Sequence, residues 1–350
     1  MAEIRIGNRT IGPGRPPFIV AEAGINHNGD VNLAKTMILA AKEAGADAVK
    51  FGMFKAEEFV GDPNLTYTYV SQGREVTESM LGMFKRCEFS AEEWRTVRDA
   101  CLENGITFFS TAQNRSDLDL LVELGVELVK VGSDDLTNLP MLRSFAKTKL
   151  PIVISTGMAN LADVHLALEA LGALEGYPVV LLHCTSEYPT PPEDVNLSRM
   201  QTLSAAFPMV PVGFSDHTTG LLAASLATVL GACYMEKHFT TDHGLPGPDH
   251  LFSADPRQLG EWVTSIRSSF NMLGSSVVRP TEKEKEMMRL ARRSVVALKT
   301  IQLGETLTHE NVGLRRPGNG LAPSMLDMVV GKKAARSLSA GDLLRHGDFV

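Results

Sequence analysis

The chain has 350 residues, 44% hydrophobic and 21% charged, with 34 Lys and Arg against 41 Asp and Glu for a net charge of -7. That length admits a large α/β domain with a smaller companion, and the apolar content excludes disorder over most of it. The acidic balance disfavours general attraction to nucleic acid or to anionic lipid, so an anionic ligand would need a local basic pocket.

The opening MAEIRIGNRTIG has neither a basic n-region nor an apolar h-region. The longest apolar stretch, Leu221 to Met235, is interrupted by Ser, Thr and Gly and is too short to span a membrane, so the expected compartment is the cytoplasm. Cys87, Cys101, Cys184 and Cys233 have no C-x-x-C spacing and are expected to be reduced, packed thiols.

From residue 17 to 275 short β-rich runs alternate with longer helical patterns. The strand candidates are FIVAEAG (18–24), AVKFGMF (48–54), ITFFST (106–111), LVKVGS (128–133), PIVISTG (151–157), VVLLHCT (179–185), VPVGFSD (210–216) and CYMEKHF (233–239). Ser90 and Glu93 form a capping box, and Gly45, Gly105, Gly125 and Gly231 follow amphipathic stretches as helix stops. Near-continuous apolar strands imply a parallel sheet covered on both faces, and eight βα units match a closed (β/α)₈ TIM barrel over residues 1–278. A doubly wound open sheet is the other arrangement such alternation allows. No G-x-G-x-x-G opens the first unit, where strand one ends in EAGINHNG, so a dinucleotide fold is disfavoured.

The insertion from Lys55 to Phe89 is expected to be a partial lid over the barrel mouth. A charged segment at 279–293 reads as a linker, and short glycine-punctuated β-like pieces over 294–350 read as a small domain that leans on another surface.

In a parallel barrel the reacting side chains sit at the C-terminal strand ends. Those ends carry Glu22, Asn26 and His27; Lys50; Ser110 and Thr111; Lys130, Ser133, Asp134 and Asp135; Ser155 and Thr156; Thr185, Ser186 and Tyr188; Ser215, Asp216 and His217; Glu236, Lys237 and His238. Single hydroxyls there also serve as ordinary helix caps. Lys50 and Lys130 lie mid-strand among apolar neighbours, where a buried ammonium needs an anion. They fit a phosphate or carboxylate clamp, or structural ion pairs with Glu22 or Glu236. His217 and His238 occupy corresponding places on the last two strands, with Glu236 and Asp249 near in sequence, and could share one exchangeable divalent ion, Mn²⁺ or Mg²⁺.

FIVAEAGINHNGD, ADAVKF, the KVGS strand, ISTGM, LLHCTSEYPTPPEDVNL, VGFSDHTTG, EKHFTTDHGLPGPDH and LRRPGNG together resemble the sialic acid synthase family over nearly the whole chain. The resemblance implies a (β/α)₈ barrel followed by a β-rich domain resembling type III antifreeze protein, known as a SAF domain. It implies a transferase that condenses phosphoenolpyruvate with an open-chain N-acetylated hexose, N-acetylmannosamine or a relative, and water. The products would be a nine-carbon α-keto acid and phosphate, released by C–O cleavage.

The roles carried over are phosphoenolpyruvate binding for Lys50, Thr111, Lys130, Ser133, Ser155, Ser186 and Ser215, and Mn²⁺ binding for His217 and His238, with Mg²⁺ or Co²⁺ as other candidates. Glu22 would be the acid/base, and Asp135, Tyr188 and Asp249 would contact the sugar. Arg316 would reach the N-acetyl group from the small domain of a partner in a domain-swapped homodimer.

Two positions depart from the family pattern: Gly52 stands where glutamine is usual, and STAQNR replaces STPFD. A glycine there makes room for a differently substituted hexose, which brings in a legionaminic or pseudaminic acid synthase using a 2,4-diacetamido sugar. Readings of other classes are a non-catalytic sugar-phosphate binding protein and a metal-dependent pyruvate aldolase. The two arginines of LRRPGNG argue against ice binding by the small domain, which could also be a packing module alone.

Overall fold

The computed structural model describes residues 3–350, and its contacts divide the chain into Met1–Gly274 and Ser275–Val350. In the first unit eight strands run parallel: β1 (Phe18–Gly24), β2 (Ala48–Met53), β3 (Thr107–Ala112), β4 (Val129–Val131), β5 (Ile152–Ser155), β6 (Val179–His183), β7 (Val212–Asp216) and β8 (Tyr234–His238). Each pairs with the next, and β8 pairs with β1 to close the barrel, which rules out the open sheet. Every expected strand forms.

The apolar runs have two jobs because both faces of each strand are covered. One set of alternate residues, among them Ile19, Ala21, Val49, Phe51, Ile152, Ile154 and Met235, packs outward into the helix layer. The other set, Phe18, Val20, Ala48, Phe109, Leu128, Val153, Val180, Leu182 and Tyr234, fills the barrel interior. Continuing the inward series toward the C-terminal ends reaches Glu22, Lys50, Thr111, Lys130, Ser155 and Glu236, so the interior turns from apolar to charged along each strand.

A short antiparallel hairpin, Ile4–Ile6 with Arg9–Ile11, precedes the barrel and was not anticipated. Its Ile4, Ile6 and Ile11 are buried in the same cluster as Phe18, Leu128 and Tyr234 and form a floor under the barrel. Arg9 anchors it to Asp47, ahead of β2, at 2.6 Å. Ile11 is fully buried, so Ile11→Ala is expected to cost about 2–5 kcal/mol, readable as a lowered Tm or denaturation midpoint.

The helices begin and end where the caps place them. Ser90 and Glu93 form the reciprocal capping box, and Gly45 takes φ +87° just after the helix Val31–Glu43, a conformation that costs other residues strain. The 55–89 insertion folds as helix Ala56–Phe59, a hairpin of Thr66–Ser71 with Arg74–Ser79, and helix Met80–Cys87. Gln72 and Gly73 turn the hairpin with φ of 51° and 74°, the left-handed pair a tight hairpin requires. The hairpin is tied to the loop after β8: Gln72 donates to the Gly244 carbonyl at 2.8 Å, and the Gly247 N–H to Ser71 Oγ at 3.1 Å. All four cysteines are free and buried. Among the described residues, no helix is long and apolar enough to cross a membrane.

The second unit contains helix Glu282–Ala291, within the segment read as a linker, with a Thr281/Glu284 capping box and no buried residue. Strand Ser294–Ala297 then pairs antiparallel with Val312–Arg315. Isolated bridges such as Ile301 with Leu338 extend the β character around a core that includes Val295, Ile301, Leu307, Val312, Leu338 and Leu344. The expected small β-rich domain is present.

Candidate active site

At the C-terminal end of the barrel two buried lysines meet two buried carboxylates. Lys50 pairs with Glu22, and its Nζ also donates to Thr111 Oγ1 at 3.1 Å and lies 3.7 Å from Glu236 Oε1. Lys130 Nζ lies 3.2 Å from the same Glu236 oxygen. Glu236 further accepts from Tyr234 Oη at 2.9 Å and from Ser215 Oγ at 3.4 Å. The ion pairs with Glu22 and Glu236 therefore form, and they draw both ammonium groups into one buried charged layer at the strand ends.

The two carboxyl groups differ electrostatically. Burial pushes Glu22 up to about 7, outweighing the attraction of Lys50, and the charge on Glu236 adds to the rise. Burial also opposes ionisation of Glu236, but Lys130, Lys50 and the Tyr234 hydroxyl outweigh it and hold that carboxyl at about 2.

Glu22 owes its position to a backbone irregularity. The β1–β2 register shifts between Glu22 and Gly24, a bulge that re-aims the strand at the site. Gly24 takes φ +52°, and a Cβ placed there would lie 3.1 Å from Glu22 Oε1 and 3.8 Å from both Asp249 Oδ2 and His238 Cε1. Glu22, Asp249 and His238 thus converge on this glycine. Desolvation raises the Asp249 carboxyl to about 6.

The imidazoles of His217 and His238 are neighbours, with centroids 5.6 Å apart. His217 Nδ1 lies 2.6 Å from the Thr185 carbonyl; donation there requires the proton on Nδ1 and leaves Nε2 with its lone pair. Nε2 sits 3.4 Å from Ser215 Oγ. His238 Nδ1 is buried without a hydrogen-bond partner. Desolvation lowers both rings, His217 to about 4 and His238 well below the usual range, so both are neutral.

Two neutral imidazoles, one with a freed nitrogen and one with an orphaned buried nitrogen, fit a shared divalent ion. Among the described residues no group of three or more His, Cys, Asp or Glu is assembled around a metal position. Tyr188 covers the pair, its ring 4.2 Å from that of His217 and 5.6 Å from that of His238, backed by Phe252 at 5.1 Å.

A third group gathers at Gly157. Its N–H donates to Ser133 Oγ at 3.0 Å. A Cβ there would collide with Ser186 Oγ and would lie 2.7 Å from Ser133 Oγ and 3.1 Å from Cys184 Sγ, so only glycine lets these hydroxyls close in. Ser155 Oγ is buried and has no partner. Asp135 is half-buried and engaged locally, accepting from Asn138 Nδ2 at 2.9 Å within the loop that follows β4. Arg316 belongs to the second unit and is exposed there.

Beside this cluster a cavity of about 640 Å³ is lined by Tyr67, Tyr69 and Val70 of the inserted hairpin together with Tyr188, Leu251 and Phe252. Glu236, read from sequence as a counter-ion and as a neighbour of the imidazole pair, proves to be the hub of the charged layer. The signal for it was the inward series Tyr234, Glu236, His238 along β8. Phe252 lies in an irregular loop and had no such signal.

A family described as the NeuB family matches residues 37–278, and a SAF domain matches residues 292–350. The chain is 43% identical to the N,N'-diacetyllegionaminic acid synthase of Legionella pneumophila, over 93% of each chain. It is 35% identical to the pseudaminic acid synthase of Helicobacter pylori, covering 96% of this chain and 98% of that one. The solved N-acetylneuraminic acid synthetase of Leptospira borgpetersenii serovar Hardjo-bovis, in complex with citrate, superposes with a TM-score of 0.73 at 35% identity, over 82% of this chain and 95% of that one. The chain is an enzyme that belongs to the NeuB family and carries a C-terminal SAF domain.

Proposed function

We propose that the enzyme condenses phosphoenolpyruvate with an open-chain N-acetylated hexose and water, giving a nine-carbon α-keto acid and phosphate. The observation that carries this is the meeting of two ammonium groups, a carboxyl poised near neutrality and two neutral imidazoles in one buried layer at the barrel's C-terminal end. Lys50 and Lys130, with hydroxyls from Thr111, Ser133, Ser155, Ser186 and Ser215, hold the carboxylate and phosphate of the enol phosphate. His217 and His238 would hold a divalent ion, foremost Mn²⁺ with Mg²⁺ or Co²⁺ as alternatives, whose chemistry when bound is to polarise the acceptor's aldehyde.

C3 of the enol phosphate bonds to the aldehyde carbon as the C=O π pair moves onto its oxygen, water adds to the cation left at C2, and Glu22 takes the water's proton and passes it to the new alkoxide. The tetrahedral carbon expels phosphate by C–O cleavage as its hydroxyl becomes the ketone, the hydroxyl proton leaving with the phosphate, while the lysines offset charge on the leaving group. Tyr188, Asp249 and Asp135 contact the sugar. Arg316 of the partner subunit reaches the N-acetyl group in a domain-swapped homodimer, a role its exposure in the LRRPGNG loop allows.

Gly52 favours a second reading of the acceptor. A Cβ at this position would meet only ordinary contacts, Ile25 Cγ2 at 3.7 Å and the Gly24 backbone at 3.8 Å. A glycine there takes less room than the glutamine usual in the family, which suits a bulkier sugar such as a 2,4-diacetamido-trideoxyhexose, and the identity to the Legionella enzyme supports it.

The test is phosphate release from phosphoenolpyruvate with a panel of hexosamines containing both N-acetylmannosamine and the 2,4-diacetamido sugar. Release is expected with one of them, abolished by EDTA and restored by Mn²⁺. Condensation of pyruvate itself without phosphate release would establish the aldolase reading instead. Phosphoenolpyruvate binding with no turnover on any sugar would favour the non-catalytic one.

A further inference from the structure

The outward face of the barrel wall is apolar, as residues such as Val212, Phe214 and Met235 illustrate. Charge enters it where Asp216 on β7 and Lys237 on β8 are register partners. Asp216 is 1% exposed and Lys237 5%, and their charges lie 3.2 Å apart. Such a buried pair seldom improves on two apolar side chains of similar size, so stability alone does not account for it.

The remaining contacts explain where the pair acts. Asp216 Oδ1 accepts from the Thr218 N–H at 2.9 Å and from Thr218 Oγ1 at 2.7 Å, while Oδ2 accepts from the indole N–H of Trp262 at 2.9 Å. Lys237 Nζ donates to the Thr218 carbonyl at 2.5 Å. Trp262 is fully buried on the helix Pro256–Leu273, whose start is fixed by the Asp255/Gln258 capping box. The network therefore clamps both residues flanking His217 and the residue immediately before His238. His217 has a ring anchor of its own in the Thr185 carbonyl. His238 Nδ1 has none; its ring packs between Tyr188 and Phe252, on the strand residue that directly follows Lys237.

We propose that Asp216, Lys237, Thr218 and Trp262 form a positioning unit that sets the spacing of the two imidazoles and thereby their affinity for a divalent ion. The inference rests on the metal reading above. Outer groups that orient metal ligands typically change metal affinity 10–100-fold when altered.

The experiment is Mn²⁺ titration of the full chain by calorimetry, confirmed by the EPR signal of free Mn²⁺, at a temperature where each variant is folded. Trp262→Phe keeps an aromatic ring and loses the N–H; its Kd for Mn²⁺ is expected to rise about tenfold or more. Trp94→Phe is the control: Trp94 is equally internal but packs against Phe51 and Phe108, and its loss should lower Tm while leaving the Kd within twofold. Thr218→Val removes only the Oγ1 donor and carries the test if Trp262→Phe does not fold, with a rise of threefold or more expected. Folded variants that bind Mn²⁺ as the unaltered chain does, within twofold, would overturn the positioning unit alone. No Mn²⁺ binding by the unaltered chain would overturn the metal reading together with it.

Discussion

Replacing Glu22 by Gln is expected to lower kcat for phosphate release by about 10²–10⁴-fold, the range for losing a positioned acid/base group. Glutamine keeps the shape of the side chain and can still offer an oxygen to Lys50, so the layer beneath should remain folded. What it cannot do is take a proton from the water that adds to C2. The remaining ties of Lys50, 3.1 Å to Thr111 and 3.7 Å to Glu236, hold the ammonium in place. KM for phosphoenolpyruvate should therefore move far less than kcat, the pattern of an interaction made in the transition state. Steady-state phosphate release alongside a thermal melt checks both halves; a folded variant keeping more than about a tenth of the wild-type kcat would remove Glu22 from the chemistry.

Lys130→Met is expected to lower kcat/KM for phosphoenolpyruvate by roughly 30- to several thousand-fold, from the 2–5 kcal/mol that truncating one member of a buried hydrogen-bonded charge pair costs a bound complex. Tm should fall as well. Glu236 would lose its 3.2 Å ammonium and keep Lys50 at 3.7 Å as its one cationic partner, and an undercompensated buried carboxylate is strongly destabilising. The double variant Lys130→Met with Glu236→Gln separates the two effects. Removing both charges should restore much of the Tm and none of the substrate affinity. Recovery of kcat/KM in the double variant would mean that Lys130 is only a structural ion-pair partner.

The barrel was readable because parallel strands buried on both faces are written as unbroken apolar runs, and because glycines such as Gly45 mark each helix end. The charged layer was readable for a related reason: a lysine inside AVKF or LVKV is too costly to be incidental. The hairpin Ile4–Ile6 with Arg9–Ile11 escaped because three-residue strands carry too little alternation, and their burial comes from a barrel assembled later in the chain. The central place of Glu236 escaped because sequence gives the direction of a side chain along one strand, not the distance at which Lys50, Lys130, Ser215 and Tyr234 meet it from others. Likewise, the network of Asp216 and Lys237 depends on Trp262, whose helix lies beyond β8 in the chain and whose indole reaches back across the wall.

The floor built by Ile4, Ile6 and Ile11 turns the barrel into a cul-de-sac. Under the proposed function, reactants and products would then enter and leave by the C-terminal rim alone, one behind the other.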